Sequence, residues 1–507
     1  MTLERGSGLF LHIASLPGPQ GIGSLGDPAR RFVDFLSRAD QSAWQFCPIG
    51  PTTVEYGNSP YSALSAAAGN PLFVDLADLR ERGWLDDVDD AGVDADPDRV
   101  AYGRVTTHVE RHLRQAHAGF ETDATAAERR AFTAFREANA DDWLDDYTLF
   151  RALKRDHDGV AWTEWPAEHR DRDPDALAAA RADLADEIAF REFCQFCFAQ
   201  QWDALRSYAH ERGVSLVGDV PIYVAGDSAD VWANRAVFQL DAEGRPTAVA
   251  GVPDAPDEVF SAQRWGMPLF DWDELERTGF EWWVGRLDRL FDRCDLVRID
   301  HFRGLEQYWA IPADEPDPNV GEWRDVPSEA FFDRLEHEFG DLSTRAFAED
   351  IGHLTDAVDE LRGRYGLASL KLLPFVGWCD DDHPHMPHRW TDATVGYTST
   401  HDSDTARGTY ESLSPEERAC LHDYVGVDAG GDPAIAETVH EVFVEAAWRS
   451  DASLVLAQLQ DVLGLGSEAR FNVPGTTEDN WAWRVRAAAL TDERADWLAD
   501  VTRAAGR

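Results

Sequence analysis

The sequence predicts a (β/α)8 barrel, the α/β fold of TIM-barrel proteins, with a helical and a loop-rich insertion. Eight short apolar segments occur along the chain, and most of them end in a polar or charged residue, as buried parallel strands do. Stretches with helical periodicity lie between these segments. Alternation of this kind favours a parallel α/β fold, and the number of segments fits a barrel.

The predicted strands are short and rich in Val, Ile, Leu or Phe. They lie at residues 9–13, 44–48, 215–219, 295–300, 345–349, 370–375, 395–401 and 470–473. Helical periodicity is clear, for example, at residues 27–39 and 328–339. With 507 residues, of which 44% are hydrophobic, the chain is long enough for one barrel core, and we treat residues 1–507 as a single catalytic domain.

Two insertions interrupt the alternation of strands and helices. Residues 72–212 are rich in Ala, Arg, Asp and Glu with helical spacing, which predicts a helical subdomain packed on the barrel. Residues 221–283 contain Gly and Pro at a density typical of loops, and we predict a loop-rich insertion over the active site. An indole in such a loop can serve as a platform for a sugar ring.

The chain is strongly acidic. It has 94 Asp and Glu residues against 47 Lys and Arg residues, a formal net charge of −47, and Lys occurs only at positions 154 and 371. This charge repels nucleic acid and anionic membranes, so neither is expected as a partner. Acidic residues spread along a chain with almost no Lys indicate a halophilic protein of a salt-rich cytoplasm, where salt screens self-repulsion.

The N-terminal residues include no basic segment followed by a long apolar stretch, and no later run approaches the length of a membrane span. We therefore expect a soluble, cytoplasmic protein, and the oligomeric state stays open.

Cysteine and histidine residues give no indication of a metal or a cofactor. Cys194 and Cys197 have the spacing of a redox motif but lie in a helical pattern, which favours buried small side chains. His383, His385 and His388 are close in sequence without the spacing of a metal site, and we interpret them as loop or sugar-contacting residues. We predict no metal and no cofactor.

Acidic residues end three of the predicted strands. Arg298 and Asp300 are two apart in one strand and therefore share a face, where the guanidinium favours the ionised carboxylate. Glu349 and Asp402 follow the ends of later strands. Because the C-terminal strand ends of a barrel form its active site, we expect these carboxyl groups to converge. Two of them can perform the acid, base and nucleophile chemistry of glycosidic bond cleavage.

Long motifs around these residues resemble one enzyme family. In chain order they are RGSGLFLHIASLPGPQGIGSLG from Arg5, NSPYSALSAAAGNP at 58–71, GDVPIYVAGDSADVWAN from Gly218, WGMPLFDW from Trp265, DLVRIDHFRGLEQYW around Asp300, AFAEDIG around Glu349, YTSTHDSDT around Asp402 and RFNVPGTTEDNWAWR from Arg470. In these motifs the chain resembles the amylomaltases, the 4-α-glucanotransferases of glycoside hydrolase family 77, nearly end to end. The resemblance implies retaining transfer of α-1,4-glucan segments between maltooligosaccharides or starch-type glucans.

The resemblance also implies roles for individual residues. Asp300 would be the nucleophile, Glu349 the general acid/base and Asp402 the stabiliser of the transition state. The substrate-binding residues would be Ser59, Tyr61, Asp219, Gln263, Trp265, Arg298, His301, His401 and Asn472, with both histidines bonding sugar hydroxyls.

The chain departs from the family pattern at three places. Met267 follows Trp265-Gly266 where amylomaltases usually have Asn, Ser403 replaces an Asn in the THDND motif, and the loop at 252–261 differs from the usual VPPDYFS. These changes leave the three carboxylates in place and concern loop contacts and the acceptor.

Three functions of different classes are open on the sequence. The main prediction is a 4-α-glucanotransferase with maltooligosaccharides and α-1,4-glucans as donor and acceptor. An α-1,4-glucan hydrolase of amylase type would use the same bond-breaking residues, so only the loops that exclude water would distinguish it. A catalytically silent glucan-binding protein is disfavoured because all three carboxylates are present.

Overall fold

Parallel strands close into a barrel, as predicted. The computed structural model of the protein describes residues 3–89, 93, 96–254, 261–352, 354–426, 433–476 and 479–507. Their strands are β1 (Gly6–Phe10), β2 (Ala43–Gln45), β3 (Ser215–Val220), β4 (Ala248–Val252), β5 (Gln263–Pro268), β6 (Leu296–Ile299), β7 (Gln307–Pro312), β8 (Glu322–Asp325), β9 (Ala346–Ala348), β10 (Ala368–Leu372), β11 (Thr394–Tyr397) and β12 (Leu454–Gln458). Eight of these form the ring, in the order β1, β2, β3, β6, β9, β10, β11 and β12, and β12 pairs with β1 to close it.

Helices surround the barrel and fill the segment between β2 and β3. They are α1 (Asp27–Arg38), α2 (Leu76–Glu81), α3 (Tyr102–Asp123), α4 (Ala126–Asn139), α5 (Asp145–Asp156), α6 (Ala167–Arg170), α7 (Pro174–Asp183), α8 (Ala185–His210), α9 (Ala229–Ala233), α10 (Trp272–Arg277), α11 (Glu281–Arg293), α12 (Ser328–Phe339), α13 (Asp356–Arg364), α14 (Ala406–Ser412), α15 (Pro415–Val425), α16 (Pro433–Trp448), α17 (Leu459–Val462) and α18 (Asp492–Ala504). None of the helices in the described ranges has both the length and the apolar character needed to cross a membrane.

The register of the barrel strands sets the level of the active-site residues. Asp219 of β3 pairs with Arg298 of β6, and Arg298 pairs with Phe347 of β9. All four residues of β6 are buried, as expected for a strand that is covered on both faces. The side chains that follow β3, β6 and β9 therefore emerge side by side at the C-terminal end of the barrel.

The eighth barrel strand is not where the sequence analysis predicts it. Residues 470–473 form no strand, and the eighth strand is β12, which lies between β11 and β1. β12 is apolar up to its last residue, Gln458, and fully buried. Residues 470–473 instead bond to the turn after β11, where the backbone N–H of Asn472 donates to the carbonyl oxygen of His401.

The described part of residues 72–212 is mainly helical, from α2 to α8. The longest helix, α8, packs on the barrel through aromatic side chains. Trp202 of α8 meets Phe46 edge-on with ring centroids 5.5 Å apart, and its indole N–H donates to the carbonyl oxygen of Arg293. Trp202 and Phe46 both belong to the main buried hydrophobic cluster, so α8 shares one core with the barrel.

The second insertion contains more regular structure than predicted. Within residues 221–283, β4 and β5 join β7 and β8 in an antiparallel sheet of order β5-β4-β7-β8, and α9 and α10 are helical. The glycine at 251, which the sequence analysis assigns to a loop, lies in β4, where a Cβ would stand 2.3 Å from the carbonyl oxygen of Gln263 on β5. Close strand approach explains this glycine. Residues 255–260 of the predicted loop lie outside the described residues.

Four cysteines are free and buried, and two are paired. Cys194 and Cys197 are buried in α8, which confirms their interpretation as small core side chains. Cys379 and Cys420, which the sequence analysis does not pair, form a disulfide between the segment after β10 and α15.

Candidate active site

Three strand ends bring their carboxyl groups to one guanidinium. Arg298, at the end of β6, is 2% exposed. Its Nη1 lies 2.7 Å from Oδ2 of Asp219 and 3.0 Å from Oδ1 of Asp300, and its Nη2 lies 2.7 Å from Oε1 of Glu349. Strand alternation explains the contact with Asp300, and the parallel register explains the other two.

The turn after β6 aims a backbone donor at Glu349. His301 has φ 47°, in the left-handed region that residues other than Gly rarely adopt. In this conformation its N–H donates to Oε2 of Glu349 at 2.6 Å. Burial lowers the pKa of the His301 imidazole to about 4, so the ring is neutral at neutral pH. Gly304 leaves room for that ring, because a Cβ there would stand 2.9 Å from Cδ2 of His301.

Asp402 is held by a separate polar network. Its Oδ1 accepts a hydrogen bond from Nδ2 of Asn472 at 2.6 Å, and its Oδ2 lies 3.2 Å from Nε2 of His401. The Tyr61 hydroxyl lies 2.9 Å from the same His401 nitrogen and donates to Oδ2 of Asp219 at 2.8 Å. This chain of contacts links Asp402 to the group around Arg298.

The carboxyl groups differ in their affinity for protons. Burial raises the pKa of Asp300 well above its usual value, and Glu349 acts in the same direction, whereas Arg298 opposes both. Burial also raises the pKa of Asp402, but the charge of His401 and the hydrogen bonds from His401 and Asn472 outweigh it and bring the pKa to about 2. The sequence predicts that Arg298 keeps Asp300 ionised. Burial and the neighbouring carboxylates are the stronger influence on the pKa of Asp300.

An open cleft of about 840 Å³ lies above these groups. The predicted site residues that line it are Ser59, Tyr61, Gln263, Trp265, Asp300, His301, Glu349, Asp402 and Asn472. The other three, Arg298, Asp219 and His401, are buried behind the wall and contact residues that line it. The contacts of these three residues are with side chains of the site rather than with the open cleft.

Comparison with known proteins identifies the family. A family model described as 4-alpha-glucanotransferase matches residues 11–491. The chain belongs to this family. A 4-alpha-glucanotransferase of Thermus thermophilus is 45% identical over 497 residues, which cover 97% of this chain and 97% of the relative. Another, from Synechocystis, is 41% identical over 510 residues, covering 99% and 98%. An amylomaltase from Streptococcus agalactiae, solved in complex with acarbose, superposes with a TM-score of 0.93 at 32% identity, covering 99% of this chain and 100% of that one.

Membership of the 4-alpha-glucanotransferase family confirms the predicted barrel fold and the main prediction of function. The family relatives are named for glucan transfer, so they do not support the hydrolase alternative.

Two of the three departures from the family pattern, Met267 and Ser403, lie in different environments. Met267 is on β5 and lines the cleft beside Trp265. Ser403 is buried inside the turn after β11, where its hydroxyl oxygen accepts from the backbone N–H of Thr400 at 2.9 Å. Of the two, only Met267 is placed to contact a ligand in this 4-alpha-glucanotransferase family member.

Trp265 is tied to other residues of the site. Its indole N–H donates to Oε1 of Gln263 at 3.0 Å, and its ring meets the His301 ring edge-on with centroids 4.8 Å apart. The side chain is half-buried, so part of the indole faces the cleft.

Several cleft residues were not found from the sequence. Tyr223, Arg303, Trp323 and Trp481 line the cleft as well. Trp323 lies on β8 under the Arg303 guanidinium, which is 4.0 Å from the ring centroid. Trp323 lines the cleft because β8 belongs to the antiparallel sheet, and the sequence does not predict this sheet. The motif that includes Asn472 also contains Trp481, but 19 Trp residues in the chain gave no reason to select it.

Proposed function

We propose that this 4-α-glucanotransferase moves α-1,4-glucan segments between maltooligosaccharides or starch-type glucans by retaining double displacement. The observation that carries the proposal is the group of carboxyl residues on Arg298, next to an open cleft that Asp402 also lines. The acarbose in the related Streptococcus agalactiae amylomaltase supports a glucan-like ligand for the cleft.

In the first half of the reaction, Glu349 gives its proton to the glycosidic oxygen while an oxygen of Asp300 bonds to the anomeric carbon. The bond from that carbon to the glycosidic oxygen breaks, and the sugar on its far side leaves as an alcohol. The other glucan segment stays covalently bound to Asp300. Asp402, which stays ionised, stabilises the positive charge that develops on the sugar ring.

In the second half, Glu349 takes the proton of an acceptor hydroxyl, and the acceptor oxygen attacks the anomeric carbon. The bond to Asp300 breaks and a new α-1,4 bond forms. Two inversions at one carbon retain its configuration. Water in place of the acceptor gives hydrolysis, so the residues that bind the acceptor decide the outcome.

The mechanism needs the proton on Glu349 and the charge on Asp300, whereas the free protein raises the pKa of Asp300. Binding of the substrate must therefore favour the ionised form of Asp300. A sugar hydroxyl that donates to Asp300 would favour its ionised form and leave the proton on Glu349.

Three buried residues are assigned to positioning. Arg298 holds Asp300 and Glu349 through its two amino groups, Asp219 bonds the same guanidinium, and His401 bonds Asp402. Ser59, Tyr61, Gln263, Trp265, His301 and Asn472 are assigned to contacts with the sugar.

Incubation with maltotriose tests the activity. Transfer conserves the number of reducing ends, so we expect glucose and a ladder of longer oligosaccharides at a constant reducing-end concentration. Chromatography and a reducing-sugar assay measure the two quantities. Rising reducing ends with only shorter products would contradict the proposal, and the Asp300→Asn variant serves as the blank.

For the chain as a whole, we propose a single catalytic domain that comprises residues 1–507. Within it, residues 72–212 form a helical insertion subdomain, and residues 221–283 form a loop-rich insertion over the active site. The support for this proposal is that both insertions lie between consecutive barrel strands, and that Gln263 and Trp265 of the second line the cleft.

We also propose a halophilic protein of a salt-rich cytoplasm. The net charge of −47 supports this proposal, and so does the scarcity of Lys, which occurs only at positions 154 and 371. Lys154 is buried with its Nζ 2.5 Å from Oδ2 of Asp227, and Lys371 lies in β10. The Cys379–Cys420 disulfide, in contrast, is more typical of an oxidising compartment than of the cytoplasm.

Fractionation of the cells that produce the protein tests the proposed location. Activity in the cytosolic fraction supports a cytoplasmic protein, and activity in the medium contradicts it.

A further inference from the structure

A second cluster of possible ligands lies beside α3, away from the residues assigned to glucan chemistry. His108 and His112 are one helical turn apart, only 3% and 1% exposed, with ring centroids 4.3 Å apart. Oδ1 of the exposed Asp89 lies 3.8 Å from Nδ1 of His108 and 3.7 Å from Nε2 of His112. The three donor atoms lie within 4.8 Å of one another.

The hydrogen bonding of His112 fixes which of its nitrogens is a ligand. Its Nδ1 lies 2.9 Å from the carbonyl oxygen of His108, which can only accept, so Nδ1 carries a proton. In the neutral ring, Nε2 then holds a lone pair that faces the Asp89 carboxylate across 3.7 Å. That gap is too long for a hydrogen bond, and the two lone pairs repel. A cation between them would remove the repulsion.

A metal ion explains the cluster better than a proton on Nε2 of His112. Protonation of both imidazoles would leave each ring nitrogen 3.7–3.8 Å from the Asp89 carboxylate, too far for a hydrogen bond, whereas one ion can bind His108, His112 and Asp89 together. Ligand atoms of a tetrahedral zinc ion stand about 3.4 Å apart, given bonds of roughly 2.0–2.2 Å. The two imidazole nitrogens lie 3.8 and 3.7 Å from Oδ1 of Asp89, within a few tenths of an ångström of this value.

We propose that Asp89, His108 and His112 bind one divalent transition-metal ion of the Zn²⁺ class, with water in the fourth position. Two imidazoles and one carboxylate suit such an ion, whereas Mg²⁺ and Ca²⁺ prefer oxygen ligands. Arg111 bonds both oxygens of Asp89, at 3.0 and 2.6 Å, and fixes the carboxylate beside the imidazoles. The ion ties the segment before residue 90 to α3, so its role is structural.

Zinc titration of the full-length protein tests the site. After treatment with a chelator and its removal, we expect calorimetry with ZnCl₂ to give one tight site per chain. His112→Asn should weaken zinc binding by on the order of 100-fold. His117→Asn is the matched control, since His117 lies on the same helix but contacts Phe190 and Phe193 instead, and it should bind zinc as the parent does.

A variant of the exposed residue Asp89 tests the site even if the buried His112→Asn variant does not fold. Asp89→Asn changes an exposed side chain and should also weaken zinc binding, while Asp300→Asn should not, which separates this site from the active-site carboxyl groups. Bound Co²⁺ should give the intense visible absorption of tetrahedral coordination. Equal zinc affinity in the parent, Asp89→Asn and His112→Asn proteins would overturn the proposal and place any bound ion elsewhere.

Discussion

At the scale of single residues, the proposed chemistry depends on one guanidinium that serves three carboxyl groups. Arg298 contacts Asp219, Asp300 and Glu349. Because one cation cannot compensate three buried carboxylates, the group favours retention of a proton, and the pKa of Asp300 is raised. The sequence predicts the pair of Arg298 and Asp300, since strand alternation is local. It does not predict that all three carboxyl groups meet one guanidinium, which depends on the register of three strands.

Asp300→Asn should abolish transfer while the protein stays folded. An amide cannot form the glycosyl ester, so activity should fall to background. The raised pKa of Asp300 means that the folded state disfavours the charged group, and an amide resembles its protonated form. We therefore expect a thermal midpoint equal to that of the parent or higher. Product analysis and thermal unfolding measure both, and substantial remaining turnover would contradict the role of Asp300.

Trp265→Ala should change the products more than the stability. The half-buried indole faces the cleft and orders Gln263 and His301. Its loss should weaken oligosaccharide use or raise the hydrolysed fraction. Trp202→Ala is the contrast, because Trp202 is fully buried and its loss should cost about 3–5 kcal/mol of unfolding free energy. If Trp265→Ala lowers the thermal midpoint as much as Trp202→Ala with an unchanged product ratio, Trp265 is a core residue.

At the scale of elements, strands with local apolar patterns were predictable and those defined by distant pairing were not. Leu296–Ile299 was found because its run of apolar residues ends in a charged group. The composition of residues 470–473 predicts an eighth strand, but these residues instead bond to the turn that holds Asp402. The sequence does not predict the antiparallel sheet, because β4 pairs with β7, which lies far along the chain. In addition, glycine at 251 is more typical of a loop than of a strand.

The turn after β11 carries His401 and Asp402 and is fastened by Asp461 of α17. Oδ2 of Asp461 accepts from the hydroxyls of Thr398 and Ser399, each at 2.5 Å, and Oδ1 accepts from the backbone N–H of Ala406 at 2.7 Å. Burial raises the pKa of Asp461 from 3.8 to about 6. Asp461 therefore binds its proton more tightly in the folded chain than in the unfolded one.

The sign of this shift predicts a pH dependence. The stability contributed by protonated Asp461 is complete below the unfolded pKa of 3.8 and is lost as pH rises through about 6. The side chain of the Asp461→Asn variant cannot ionise. Between about pH 4 and pH 7, the free energy of unfolding of the parent should therefore fall by on the order of 3 kcal/mol relative to that of the variant. Urea unfolding of both proteins across this range measures the difference. Parallel pH profiles would show that Asp461 has an ordinary pKa.

At the scale of the whole molecule, the charge should make folding depend on salt. Against 94 acidic residues stand 47 basic ones, and salt at about 1 M shortens the screening length to roughly 3 Å. We expect the protein to unfold or lose activity in dilute buffer, and to keep its fold and its activity in concentrated KCl. Glucans are uncharged, so the KM for maltotriose should change little where the fold is constant.

A KCl series with unfolding and kinetic measurements at each concentration separates the two effects. Equal stability in dilute buffer would contradict adaptation to salt. A steep rise in KM at constant fold would contradict non-ionic recognition of the sugar.

The most direct test of the central claim is to trap the glycosyl ester on Asp300. In Glu349→Gln, an α-maltosyl fluoride donor needs no acid for the first step, whereas the second step lacks its base. The intermediate should therefore accumulate, and mass spectrometry of the acid-quenched, digested protein should find one maltosyl group on the peptide that contains Asp300. No adduct, or an adduct on a peptide without Asp300, would contradict the double-displacement mechanism proposed for this site.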